Sequence, residues 1–152
     1  MRLREKEISD PQTIDAILQS ALVCRIALAA GNAPYVVPVN FAVKDGVLYF
    51  HSALSGRKID MLQQNASVCF EVDFPGDLIA GEKACSWSMK YQSVIGFGRA
   101  CFIEENHEKI RALDLLLKKY SGSDSFSYVS AALDKVCVIG VKIETLSGKQ
   151  SF

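Results

Sequence analysis

Two adjacent cations, Arg57 and Lys58, follow a predicted strand and a turn of small residues, where the sequence predicts that a short helix begins. A helix start carries partial positive charge and free backbone N–H groups, so acidic side chains are favoured there and cations are not. An anion would satisfy both the cations and the N–H groups, and Ser52 and Ser55 add hydroxyl groups. The segment therefore predicts a site for one phosphate group; the alternative is a solvated helix start that carries two cations.

His51 lies on the strand before this turn, with Tyr49 and Ala53 at alternate positions. Imidazole titrates near neutral pH, so a histidine that lines a pocket can donate a proton to a substrate. A histidine on a strand is also commonly structural or at the surface. We therefore treat His51 as a candidate catalytic residue, with a structural or surface histidine as the alternative.

The segment from Tyr35 to Phe41 is apolar around Pro38. Proline has no backbone donor, so it implies an edge position, a bulge or a backbone that serves something other than a neighbouring strand. The functional interpretation is a flat apolar wall for a planar heterocycle. The alternative is a buried strand in which Pro38 cannot donate a backbone hydrogen bond. The spacing does not decide between them.

A later predicted strand carries the only tryptophan of the chain, followed by a tyrosine and several hydroxyl groups. Trp87, Met89, Tyr91 and Ser93 share one face of that strand because side chains alternate with a period of two. Apolar side chains with polar tips suit a pocket or a subunit interface, although such a face can also belong to a core.

The sequence has five cysteines but no C-x-x-C pair and only two histidines, so we expect no metal site. Four of the cysteines lie in apolar stretches, which predicts that they are small buried hydrophobic residues: Cys24, Cys69, Cys101 and Cys137. The glycine pattern of a phosphate-binding loop, a dinucleotide fingerprint and the G-x-S-x-G nucleophile motif are all missing.

Helices and tight turns must position these residues. Asp10 and Pro11 predict the start of a helix that extends to about Leu22, and Asp45-Gly46 predicts a hairpin. Strands are predicted at 23–29, 35–43, 47–53, 67–74, 86–104 and 136–143, with a bend near Gly96. Residues 74–84 and 121–130 are predicted loops. The second and third helices are predicted to end at Asn65 and to begin after an Asn106 cap. This pattern indicates an α+β, mainly β, antiparallel barrel.

Composition limits the function further. The 17 basic and 17 acidic residues give a formal net charge of zero, which argues against general nucleic-acid binding. A chain of 152 residues with 49% hydrophobic residues predicts a single domain, 1–152. Its first residues lack the apolar stretch of a signal peptide and no segment is long enough to span a bilayer, so we expect a cytoplasmic protein that does not bind membranes.

Four motifs follow one another along the chain: V-V-P-V-N-F, Y-F-H-S-A-x-x-G-R-K, V-C-F-E-V-D and Y-x-S-V-I-G-x-G. Their order resembles that of the FMN-binding split barrels of the pyridoxamine 5'-phosphate oxidase type. The nitroimidazole-resistance branch is the most similar, over about residues 4–149. The resemblance implies a six-stranded antiparallel split β-barrel with flanking helices, which forms a homodimer with FMN at the interface. The ending L-S-G-K-Q-S-F lacks the arginine-containing segment of true pyridoxamine-phosphate oxidases, so vitamin B6 oxidation is not expected.

The resemblance also assigns roles by position. Arg57 and Lys58 would hold the phosphate, and His51, Ser52 and Ala53 would lie near the flavin ring and ribityl chain. The remaining candidates would flank the ring, with those on the tryptophan strand contributed by either subunit: Val37, Pro38, Val39, Asn40, Trp87, Tyr91 and Ser93. The expected function is electron transfer from a reduced nicotinamide, NAD(P)H, or another donor through FMN to a nitro-aromatic or similar planar acceptor. The alternative is a non-catalytic flavin or haem carrier or sensor on the same barrel.

Overall fold

The computed structural model describes residues 4–123 and 126–152. Its strands are β1 (Glu7–Ile8), β2 (Cys24–Ala30), β3 (Ala33–Val39), β4 (Ala42–Lys44), β5 (Val47–Ser52), β6 (Ser67–Ile79), β7 (Ser88–Ile103) and β8 (Cys137–Ser151). Its α-helices are α1 (Pro11–Ser20), α2 (Arg57–Gln64), α3 (Asn106–Ser121) and α4 (Ser130–Leu133). The strands form one antiparallel sheet in the order β3-β2-β6-β7-β8-β5-β4, with β1 paired to the end of β8. The predicted α+β, mainly β class is confirmed.

Local sequence signals account for several of these elements. The Asp10 carboxylate accepts hydrogen bonds from the backbone N–H groups of Gln12 and Thr13, and Pro11 is the first residue of α1. Asp45 and Gly46 join β4 to β5 with φ angles of 50° and 75°, as the two central residues of a tight hairpin require. The predicted helix start and hairpin are therefore confirmed.

Other predicted boundaries were wrong. The predicted loop after Phe74 is largely strand, because β6 continues through Pro75 to Ile79 across a register shift. The last strand extends to Ser151, where it pairs with Tyr91. The predicted single strand 35–43 is interrupted between β3 and β4, which with the two-residue β1 gives eight strands among the described residues instead of six. Glu105, not Asn106, is the cap residue of α3. Residues 124 and 125 of the predicted loop 121–130 lie outside the described residues, and Ser121 belongs to α3.

The helices pack on the sheet at three places. Helix α1 contacts β4, β6 and β7, helix α2 contacts β2, and helix α3 contacts β4, β5 and β8. In the part of the chain that the structure describes, no helix combines the length and the apolar character that crossing a membrane requires. Helices α1 and α3 therefore both contact β4, and α2 is the helix next to the β2–β3 edge.

Three phenylalanine rings, Phe41, Phe50 and Phe70, are fully buried and form the centre of the core. Phe70 on β6 pairs directly with Gly96 on β7, and the ring occupies the space that a side chain at position 96 would need. The predicted bend near Gly96 corresponds to a register shift between Phe97 and Gly98 on the β8 side. Glycine at position 96 is thus required by packing.

The side of the sheet opposite Phe70 carries exposed apolar residues. Register places Val36, Ala27, Cys69 and Phe97 in one row across β3, β2, β6 and β7, and Ile95 lies on the same face. We call these five residues the open sheet face. The side chains of Val36, Phe97 and Ile95 are 59%, 52% and 40% exposed. Such a contiguous apolar surface is typical of a contact with another molecule.

The cysteine prediction was largely wrong. Cys24 is the buried cysteine, whereas Cys69 and Cys137 are half-buried and Cys101 is exposed, as is Cys85. An apolar neighbour in sequence does not bury a strand residue when side chains alternate between two faces and only one of those faces is covered.

Candidate functional site

Arg57 and Lys58 occupy the first turn of α2, as the sequence predicts. Gly56 precedes them with φ of 124°, a backbone conformation that favours glycine, and no side chain caps this helix start. The first N–H groups of the helix therefore lack the side-chain acceptor that usually satisfies them. Two cations at an uncapped helix start are the arrangement that the predicted phosphate site requires.

The side chain of Arg57 links this helix start to β3. Its guanidinium carbon lies 4.8 Å from the centroid of the Tyr35 ring, within the range of a cation–π contact. Tyr35 lies two residues before Val37, the first residue of the predicted apolar wall. The contact therefore brings the predicted phosphate site and the predicted wall together.

Lys58 points inward, where its Nζ lies 5.6 Å from the centroid of the buried Phe50 ring. Burial lowers the pKa of Lys58, and the negative charge of Cys137 in its thiolate form opposes this shift. Cys137 pairs with Ser52 at the end of β5, so Ser52, Lys58 and Cys137 lie at one end of the sheet. A bound anion here would offset the cost of keeping the half-buried ammonium group charged.

The predicted wall belongs to an edge strand. Val37, Pro38 and Val39 pair with β2 on one side, and β3 ends the sheet on the other. Of the alternatives that Pro38 implied, the structure shows the edge position. Val39 is buried, Val37 is half-buried, and Pro38 and Asn40 are exposed. An edge strand offers backbone groups without a strand partner, which a planar ligand with polar edges can use.

His51 and Ala53 are exposed at the end of β5. His51 pairs with Val138, and alternation places it on the face of β5 opposite Phe50 and Ser52. His51 is therefore adjacent in sequence to Ser52 of the predicted phosphate site, but its side chain lies on the other face of β5 from Ser52 and Phe50.

Trp87, Tyr91 and Ser93 lie elsewhere. Tyr91 pairs with Pro75 of β6, whereas α2 leads into the other end of β6, at Ser67. Ser67 and Pro75 are eight residues apart, which at about 3.3 Å per residue is about 26 Å along the strand. The Tyr91 ring instead lies near two lysines, with Lys6 Nζ at 6.0 Å and Lys149 Nζ at 5.8 Å from its centroid. Trp87 is 57% exposed. Within a single chain, Trp87, Tyr91 and Ser93 therefore do not lie near Arg57 and Lys58.

Some residues beside the site escaped the sequence analysis. Tyr35 was considered only as part of the apolar segment, and Cys137 only as a core residue. Lys109 on α3 is a further cation whose charge, with that of Lys58, lowers the pKa of Cys137 against the larger effect of burial, which raises it. In the sequence, the signal that could have pointed to Tyr35 as a site residue is an aromatic residue on a predicted edge strand. The contacts of Cys137 and Lys109 depend on long-range packing.

A groove of about 470 Å³ lies between α3 and the β4–β5 hairpin. None of the predicted site residues lines it; its lining residues are Lys44, Asp45, Tyr49, Arg111, Asp114, Leu115 and Lys118. The predicted site is instead open surface in a single chain, since Arg57, Pro38 and Asn40 are all exposed.

The antiparallel sheet with flanking helices is the split-barrel fold. The chain belongs to the pyridoxamine 5'-phosphate oxidase family, whose sequence profile matches residues 10–150. This confirms the family resemblance predicted from the motifs around Pro38 and Arg57.

Solved structures extend the comparison. A protein from Bacteroides thetaiotaomicron with a proposed role in 5-nitroimidazole antibiotic resistance is 36% identical, with a TM-score of 0.85, over 95% of this chain and 86% of that one. The flavocytochrome Anf3 from Azotobacter vinelandii has a TM-score of 0.89 at 20% identity, over 100% and 72% of the two chains. A FAD- and heme-binding protein from Mycobacterium smegmatis has a TM-score of 0.86 at 18% identity, over 96% and 73%. No curated protein matches the sequence.

Proposed function

We propose that the protein binds FMN and is an oxidoreductase that passes electrons from a reduced nicotinamide or another donor to a nitro-aromatic or similar planar acceptor. The uncapped, doubly cationic start of α2 beside the edge strand β3 is the observation that carries this proposal. The 36% identity to a protein with a proposed role in nitroimidazole resistance supports the choice of acceptor.

The residues at this place fit the parts of FMN. Arg57, Lys58 and the hydroxyl of Ser52 suit a phosphate, and the edge of the sheet from Val37 to Asn40, where Pro38 and Asn40 are exposed, suits the edge and face of the ring. Ala53 and His51 would lie near the ring and the ribityl chain. When bound, the flavin supplies the redox chemistry, and the protein orients the ring and excludes water from it.

We propose a homodimer in which the open sheet face contacts a second copy. This face includes Val36, next to the wall residue Val37, so a partner seated on it would border the flavin. The partner would then supply Trp87, Tyr91 and Ser93, which one chain holds far from Arg57. Arg25, with its ion pairs to Glu71 and Asp73, adds a charged region on the same face.

Replacing Phe97 by aspartate tests the dimer. We expect the variant to be monomeric and to bind FMN about 100-fold more weakly, because a charge would replace an exposed aromatic ring of the apolar row. Size-exclusion chromatography with light scattering gives the mass. Val129→Asp is the control, since Val129 is 71% exposed but outside the face. A wild-type monomer, or a Phe97→Asp dimer, would contradict the interface.

Flavin binding is tested by titrating the purified protein with FMN, FAD and riboflavin. We expect FMN to bind about 100-fold more tightly than riboflavin, which lacks the phosphate that Arg57 and Lys58 would contact. The proposal of an FMN site fails if riboflavin binds as tightly as FMN, or if neither binds. If FAD binds more tightly than FMN, the proposed cofactor is FAD instead of FMN.

The second candidate function is a non-catalytic flavin or haem carrier or sensor. It is favoured by two structural neighbours, a flavocytochrome and a FAD- and heme-binding protein. Anaerobic turnover with NADH or NADPH and a panel of nitro-aromatic compounds separates the two functions. A haem absorption band, or flavin binding without turnover, would favour the carrier.

His51→Ala tests the proposed proton donor. We expect turnover of a nitro-aromatic acceptor to fall by about 100-fold while FMN affinity changes less than threefold, because the exposed imidazole would act on the acceptor and not on the phosphate. His107→Ala, at the start of α3, is the matched control. Unchanged turnover in His51→Ala would exclude this role.

A further inference from the structure

The end of α3 is attached to the segment that leads out of the predicted flavin wall. The Tyr120 hydroxyl accepts a hydrogen bond from the backbone N–H of Phe41 at 2.9 Å and donates one to the Leu22 carbonyl at 2.7 Å. The Phe41 carbonyl lies 3.3 Å from the same oxygen. One side chain thus joins the β3–β4 connection to the α1–β2 connection.

Lys119 reinforces this attachment. Its Nζ lies 3.6 Å from the centroid of the Phe41 ring and donates a hydrogen bond of 3.0 Å to the Leu18 carbonyl of α1. Burial lowers the pKa of Lys119 to about 8, so the side chain still carries its charge at neutral pH. Phe41 is fully buried, and its backbone and ring are therefore both held from α3.

These contacts lie directly beside the wall. Val39, the last residue of β3, pairs with Cys24, the first residue of β2. Phe41 follows Val39 by two residues, and Leu22 precedes Cys24 by two residues. The Tyr120 hydroxyl therefore links the chain just after β3 to the chain just before β2. Within the described ranges 4–123 and 126–152, the free edge of β3 has no neighbouring strand to fix it, and Asn40 lies between the pair and the attachment point.

We propose that Tyr120 is a positioning residue for the flavin, because its hydrogen bonds to Phe41 and Leu22 set where Asn40 and the end of β3 meet the ring. This inference rests on the proposed function. Tyr120 itself does not contact the reacting atoms. Its loss would leave the backbone N–H of Phe41 without this acceptor and would loosen one end of the wall.

Tyr120→Phe tests the proposal because it keeps the ring and removes both hydrogen bonds. We expect FMN affinity to fall about tenfold, the visible circular dichroism of the bound flavin to change, and KM for the planar acceptor to rise more than kcat falls. Tyr128→Phe is the matched control: the Tyr128 hydroxyl donates to Asp114 of α3 at 2.7 Å, away from the wall. It should leave affinity and spectrum as in the wild type.

A second variant, Lys119→Gln, removes the cation from the Phe41 ring and should change the flavin spectrum in the same direction as Tyr120→Phe. If the wild type binds FMN and Tyr120→Phe has wild-type affinity and spectrum, the positioning role is wrong. Equal changes in Tyr120→Phe and Tyr128→Phe would also overturn it, since they would indicate general loosening of α3. A wild type without FMN binding would overturn the proposed function first, before any variant is compared.

Discussion

Changing Arg57 and Lys58 together to alanine is expected to weaken FMN binding by about 3–4 kcal/mol, or roughly 300-fold, while the fold persists. Each cation would form a charge-assisted contact with the phosphate, and contacts of this kind contribute about 1.5–3 kcal/mol each. The loss should be specific to the phosphate, so riboflavin should bind equally to wild type and variant. Titration followed by quenching of flavin fluorescence measures both affinities.

A variant with the same change of net charge controls for long-range electrostatics. Lys44→Ala with Arg111→Ala removes two exposed cations from the groove beside α3, away from the start of α2. It should bind FMN as the wild type does at 0.15 M salt, where charges more than about 8 Å apart are screened. Equal losses in the two double variants would argue against a phosphate site at α2.

Replacing Gly96 by alanine should destabilise the protein by about 3 kcal/mol, the upper end of the usual cost of overpacking a core. An added Cβ would lie 2.8 Å from Cε2 of Phe70 and closer still to Cζ, and the Phe70 ring is fully buried. Urea denaturation at 25 °C, with an unchanged m-value, gives the loss of unfolding free energy.

Gly140→Ala is the comparison for this prediction. Gly140 is also buried in the sheet, but an added Cβ there would lie 3.3 Å from Cγ1 of Val47, so a small shift should be enough and the cost should stay below about 1 kcal/mol. In addition, Phe70→Leu should relieve part of the loss caused by Gly96→Ala, because the two residues share one space. Additive losses in that double variant would mean that Gly96 is required for another reason.

The sequence predicted the parts of the fold that depend on neighbouring residues. Asp10 caps α1 through backbone N–H groups two and three residues away, and Asp45-Gly46 forms its hairpin turn within the dipeptide. The extension of β6 beyond Pro75 could not be predicted in this way. There, a proline and a glycine continue a strand because Met89 and Ser88 pair with Leu78 and Ile79 after an irregularity, and turn-forming residues give no sign of that distant partner.

The same distinction holds for the candidate site. Arg57 and Lys58 could be singled out because two adjacent cations at a predicted helix start are a local anomaly. The contact of Arg57 with Tyr35 depends on how α2 packs beside β3, and the attachment of Phe41 by Tyr120 joins residues 79 apart in the chain. Neither pair shows a periodicity or motif, so only the folded structure could bring them to attention.

The free edge of β3 has a consequence for the chain before any ligand or partner covers it. An unpaired edge strand can template pairing with other chains and so start aggregation. Two of the seven residues of β3, Pro34 and Pro38, lack the backbone donor that such pairing uses. We therefore expect that a newly made chain can remain dispersed while it is without its cofactor, and that replacing both prolines by alanine would increase light scattering of the flavin-free protein on incubation.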